Sequence, residues 1–74
     1  MRYRKNGQMN IQVNGETIQV DSSLTIADLT TQLGYQDQRI AVEINEAIIP
    51  KSTHAEFVIS ESDKIEIIKA VGGG

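Results

Sequence analysis

Cysteine is missing from this sequence, tryptophan is missing too, and there is one histidine, His54. Without cysteine there is no disulfide staple, no thiolate zinc site and no cysteine nucleophile. One histidine leaves a His-rich metal site or a His-paired catalytic dyad without material. Nothing nucleophilic is placed beside His54 by sequence, so a structural or solvent-exposed role is expected for it. The ten acids are dispersed through strands and turns with no spacing like that of an EF-hand loop, which argues against a divalent-metal site. The only glycine cluster is terminal, so no internal glycine loop is available to cradle a phosphate. Long apolar runs are missing as well. None approaches the roughly 20 residues of a membrane span, and residues 1–8 have no apolar stretch of the kind a secretory signal needs. These absences point to a cytoplasmic protein with no membrane attachment.

What is present is a chain of 74 residues, enough for one small domain. A domain of this size buries only roughly 60% of the surface its unfolded chain exposes, so it holds one modest core and no deep cleft. The net charge of −3 is unevenly placed. Arg2, Arg4 and Lys5 crowd the start; the other four bases face all ten acids, which leaves the body at −6. An acidic body repels a phosphate backbone, which excludes a general nucleic-acid binder. It suits a basic protein partner, with effects on encounter rate and partner choice.

Residues 1–8 show no periodicity and are expected to form a disordered leader. From Met9 the chain alternates: Met9, Ile11 and Val13 on one side, Asn10 and Gln12 on the other, the period of a half-buried strand. Asn14-Gly15 is a strong hairpin signal, because both central turn positions need positive φ. Ile18 and Val20 then carry a second strand with the same alternation. Asp21 to Ser23 breaks it. Thr25 is suited to cap a helix and Asp28 has the right charge for its first turn. Ile26, Leu29 and Leu33 are expected on the buried face, and Gly34 ends the helix in the left-handed region. The expected helix is about eight or nine residues, too short to persist without packing on a sheet.

Ile40, Val42 and Ile44 form one face of a third strand, with Ala41 and Glu43 on the other. Asn45-Glu46 turns into a brief strand over 47–49, ended by Pro50, which suits an edge. Phe57 and Ile59 are read as anchors of a loop or single helical turn over 51–59. The last strand spans 64–70, with Ile65 and Ile67 inward and Glu66 and Ile68 outward. A hairpin, a crossover helix and a mixed sheet, with first and last strands both central, make an α+β roll. The expected fold is a β-grasp: a mixed sheet of about five strands in the order 2-1-5-3-4, one helix across one face. Its domain runs over 9–71, followed by a glycine tail over 72–74.

The chain from Met9 to Gly74 resembles the ubiquitin-like sulfur carriers of the ThiS/MoaD family, in its thiamine branch. The likeness rests on Val13-Asn14-Gly15-Glu16, on Leu24-Thr25-Ile26-Ala27-Asp28-Leu29, and on Val42-Glu43-Ile44-Asn45 followed by Ile48-Ile49-Pro50-Lys51. Asp63-Lys64-Ile65-Glu66-Ile67 and Ala70-Val71-Gly72-Gly73-Gly74 complete it. No single piece is specific; the ordered set is. His54 stands where an aromatic is expected, and Thr30-Thr31 where leucine is.

What the resemblance implies is a carrier, not an enzyme. Its working group is the Gly74 carboxylate, presented on Gly72 and Gly73. An E1-like, ThiF-like adenylating enzyme would join Gly74 to AMP, using ATP and Mg²⁺ that it holds itself, with no cofactor bound by the carrier. Sulfur from a cysteine desulfurase or related donor would then leave Gly74 as a thiocarboxylate, to be handed on at a ThiG-like thiazole synthase. Glycines suit this work because they thread a narrow channel and leave the acyl carbon open to attack. Ala41, Glu43, Glu66 and Ile68, on the outward face, are the expected docking patch, and the carrier alone is expected to be monomeric. Two rivals share the fold: a molybdopterin-synthase small subunit, which tends to be longer with prolines before its tail, and a ubiquitin-like protein modifier. A plain interaction domain is a third, from another class.

Overall fold

The computed structural model describes residues 7–70. Five strands and one helix follow the chain: β1 (Gln8–Val13), β2 (Glu16–Asp21), α1 (Ile26–Gln32), β3 (Ile40–Ile44), β4 (Ala47–Ile49) and β5 (Lys64–Lys69), with a single 3-10 turn at Lys51–Thr53. The sheet order is β2-β1-β5-β3-β4. β5 lies parallel to β1 and antiparallel to β3, so the last strand fills the middle of a mixed sheet. This is the β-grasp arrangement expected from the pattern of apolar residues.

The helix starts where a capping box can form. Thr25 Oγ1 accepts from Asp28 N–H at 3.1 Å, and the Asp28 carboxylate accepts from Thr25 N–H at 3.2 Å, so two otherwise free donors are satisfied. Gly34, at φ +87°, follows the C-cap Leu33 and lets the chain leave in the left-handed region. The helix is seven residues long, slightly shorter than expected. That shortening corrects the buried face: Leu33 lies past the last helical residue and is 43% exposed. Thr30 is buried in its place, its hydroxyl donating to the Ala27 carbonyl at 3.1 Å and so entering the core with its polar group satisfied.

Ile11, Ile26, Leu29, Val42, Ile59 and Ile65 are the most deeply buried large side chains, drawn from the sheet, the helix and the segment after the 3-10 turn. That segment is held to the helix start by Ile26 N–H on the Phe57 carbonyl (3.1 Å) and Ile59 N–H on the Leu24 carbonyl (2.9 Å). Ile59 is the anchor expected; Phe57 packs only partly against the core. At the other end, β1 begins at Gln8, one residue before the expected start, and Gly7 accepts a hydrogen bond from Ser22 N–H. The rest of the expected leader, residues 1–6, lies outside the described residues.

Candidate site: the last strand and the sheet face beside it

Alternation along β5 is strict. Ile65 and Ile67 enter the core, while Glu66 and Ile68 stand on the opposite face. The register sets Ile68 against Ala41 and Glu66 against Glu43. All four residues expected in the docking patch therefore share one face of the sheet, in two adjacent cross-strand pairs. Ile68 is 47% exposed beside exposed Ala41, and Glu43 is half-buried opposite exposed Glu66. Two like charges placed directly opposite weaken a strand pair, a cost the fold carries at this face.

One member of the face escapes the sequence pattern. Ile48, on β4, pairs with Glu43 and is 70% exposed. The signal was available: a two-residue turn at Asn45-Glu46 fixes the β3–β4 register and turns residue 48 to the side of residue 43. The strand is only three residues long, too short for its own alternation to show this. Ile48 and Ile68 thus flank the Glu43–Glu66 pair, giving an apolar surface with a charged centre.

β5 is held in register from both sides by turn asparagines. On the β1 side, Asn14 N–H donates to the Ile65 carbonyl and Asn14 Oδ1 accepts from Ile67 N–H, both at 2.9 Å. On the β3 side, Asn45 N–H donates to the Lys64 carbonyl at 2.8 Å and Asn45 Oδ1 accepts from Lys64 N–H at 3.0 Å. Asn45 Nδ2 also donates to Asp63 at 3.0 Å. Both asparagines adopt φ +51°, a conformation their short polar side chains tolerate.

His54 has a structural place. It is buried, and its Nε2–H donates to the Ile49 carbonyl, which can only accept, at 3.0 Å. Among the described residues no group of three His, Cys, Asp or Glu side chains could hold a metal ion, and no helix is long and apolar enough to cross a membrane. Gly72, Gly73 and Gly74 lie outside the described residues. The last described residue, Ala70, is tied to β3 by its N–H on the Arg39 carbonyl at 3.0 Å.

Residues 4–74 match the model of the ThiS family. The chain belongs to the ThiS family, the sulfur carriers of thiamine biosynthesis. It is similar to the sulfur carrier protein ThiS of Bacillus subtilis, with 34% identity covering 86% of this chain and 98% of that one. The crystal structure of the thiamine biosynthesis protein ThiS from Geobacter metallireducens superposes with a TM-score of 0.76 at 29% identity, covering 89% of this chain and 100% of that one. A thiazole synthase of Paramagnetospirillum magneticum is 38% identical over 66 residues, which is 89% of this chain. The chain spans only a fifth of that longer protein, so a ThiS-like segment is one part of it. The matched residues include both turn asparagines and the whole of β5, so the site described here falls within the ThiS family's own extent.

Proposed function

We propose that this chain works as a sulfur carrier for thiazole formation in thiamine biosynthesis, with the Gly74 carboxylate as the group that carries. The observation behind this is topological. The central strand of the sheet is the one that leads to Gly72-Gly73-Gly74, in a chain that matches the ThiS family through residue 74.

A carboxylate does not exchange its oxygen for sulfur unaided at neutral pH. In the proposed sequence, an adenylating partner uses ATP to form an acyl–adenylate at Gly74 with release of pyrophosphate. Mg²⁺ and cations on that partner offset the phosphate charge. The terminal sulfur of a persulfide carried by a cysteine desulfurase or related donor displaces AMP to give an acyl disulfide. Attack by a second thiol breaks its S–S bond, leaving the thiocarboxylate at Gly74 and a disulfide between the two thiols. Transfer of that sulfur to an acceptor at a thiazole synthase, with an oxygen from the acceptor or from water taking its place on the acyl carbon, returns the carboxylate. The carrier contributes no acid, base or nucleophile of its own: it presents the tail and the docking face of Ala41, Glu43, Glu66 and Ile68, to which Ile48 is added here. A ThiS-like segment within a thiazole synthase supports pairing with that enzyme class.

The test is intact mass spectrometry after incubation with a cognate ThiF-like enzyme, ATP, Mg²⁺ and a sulfide source. The expected product carries sulfur in place of one oxygen, localised to Gly74 by fragmentation. A tail that never forms the adenylate with an enzyme active on another ThiS overturns the proposal. Attachment of Gly74 to a lysine of another protein would mark a modifier instead.

A further inference from the structure

The edge of β5 nearest the tail is open on one side. In the β3–β5 pair, Asn45 N–H bonds the opposite Lys64 carbonyl and Ala70 N–H bonds the opposite Arg39 carbonyl. Hydrogen-bonded and non-bonded pairs alternate along an antiparallel ladder. Glu43–Glu66 and Ala41–Ile68 are therefore bonded pairs, and residues 64, 66, 68 and 70 direct their backbone groups towards β3. Residues 65, 67 and 69 direct theirs towards β1. There Asn14 takes up the Ile65 carbonyl and the Ile67 N–H. The hairpin then turns away at Gly15, while β5 runs on to Lys69. The Ile67 carbonyl and both backbone groups of Lys69 face the space β1 has vacated, and no partner for them occurs among the described residues.

A second feature shares Asn14 with this edge. Val13, Asn14, Glu16, Ile18, Leu33 and Tyr35 line an open depression of about 330 Å³ where the hairpin ends. Leu33 is exposed and Ile18 and Tyr35 are half-buried, so apolar side chains share its lining with the polar Asn14 and Glu16. An unpaired strand edge and a partly apolar hollow on either side of Asn14 offer main-chain bonds for affinity and a seat for a side chain.

We propose that an extended segment of the adenylating enzyme adds to this edge of β5, continuing the line of β1 beyond Asn14. The occupant is assigned from where the chain goes next. Lys69 stands five residues before Gly74, so a strand paired here runs beside the start of the tail, and in the proposed sequence the adenylating enzyme is the first protein that must hold that tail. The inference rests on the carrier function proposed above, and on a face distinct from the Ile48–Ile68 surface.

The probe is the cognate ThiF-like enzyme, with Lys69→Pro compared against Lys69→Ala. Both variants lose the charge; only proline loses the N–H. Proline is tolerated there because that N–H points away from β3. Both variants are expected to keep the wild-type circular dichroism and melting transition. Lys69→Pro should bind the enzyme about tenfold more weakly than Lys69→Ala by titration calorimetry, in line with one lost main-chain bond. In the unmodified chain, the Lys69 amide should exchange rapidly when free and become protected in the complex, whereas the Ile67 amide is protected throughout. Equal binding by the two variants, or a Lys69 amide still unprotected in the complex, overturns the inference while leaving Gly74 adenylation intact. Concentration-dependent protection without the enzyme assigns the edge to a second copy and overturns it too. If the unmodified chain is never adenylated, the carrier function itself has failed, which is a separate result.

Discussion

Glu46 is the residue most at odds with its position. It sits at φ +75° in the turn between β3 and β4, a region that costs a non-glycine residue roughly 1 kcal/mol or more. Glu46→Gly removes that strain, partly offset by the freer unfolded chain. The expected net gain is about 0.5–1 kcal/mol, or a rise in Tm of about 2–8 °C for a domain this small, read by thermal circular dichroism. Sequence pattern alone marks Asn45-Glu46 as a turn but does not expose the strain, since glutamate carries no turn signature. The reverse holds for His54. Its burial against the Ile49 carbonyl depends on the 3-10 turn bringing residue 54 back over β4, a tertiary placement that no local pattern encodes.

At the scale of elements, apolar alternation and turn chemistry suffice for most of the architecture. Five strands, one capped helix and the 2-1-5-3-4 order all follow from where the inward residues fall and from the need to bury the helix on the sheet. Leu33 and Thr30 exchange places because helical periodicity does not say where the helix stops. The second task of Asn14 and Asn45 is invisible for a similar reason: a turn signal explains the residue completely before any distant strand is considered. Asn14 separates the two tasks experimentally. Asn14→Gly keeps the positive φ but loses the acceptor for Ile67 N–H, while Asn14→Asp keeps an acceptor. The glycine variant is expected to lose about 1 kcal/mol relative to the aspartate variant in urea unfolding, with faster exchange of the Ile67 amide. Equal stability and equal exchange would show that the side-chain bond contributes nothing.

The neighbouring isoleucines of β5 make a sharper contrast. Ile67 is 7% exposed and Ile68 47%. Ile67→Asp places a carboxylate in the core and should unfold a domain whose whole margin is about 5 kcal/mol. Ile68→Asp places it at the water-facing side and should leave the circular dichroism spectrum unchanged. With the Ile48–Ile68 surface as the docking face, that second variant should be adenylated at least tenfold more slowly, because a charge pressed into an apolar interface is costly unless paired. Normal adenylation of a folded Ile68→Asp protein places docking elsewhere.

For the molecule as a whole, the group proposed to carry sulfur, at Gly74, lies outside the described residues, and on that proposal the fold's task is presentation. The tail is an expectation from sequence alone, resting on three glycines placed shortly after the last strand. What the sequence left out was how firmly that strand is gripped, by β1 and β3 and by two asparagines. Appending residues after Gly74 is expected to leave the melting temperature within about 1 °C, since no core contact changes, yet to abolish adenylation by removing the free carboxylate. A C-terminal extension that remains uncleaved by mass and still yields the sulfur-bearing product would overturn the assignment to Gly74.

The central position of β5 also bears on biosynthesis. A ribosome makes the middle strand of this sheet after every other element, so β1 and β3 wait for each other until Lys64–Lys69 has emerged. Closure of the sheet is thereby deferred until residues 64–69 are available. A chain interrupted before residue 64 lacks the strand that joins β1 to β3, so the inner edges of both are left without their pairing partner. The order of strands makes closure of the sheet conditional on its last strand: a chain completes the sheet only once it includes Lys69, three residues before Gly72.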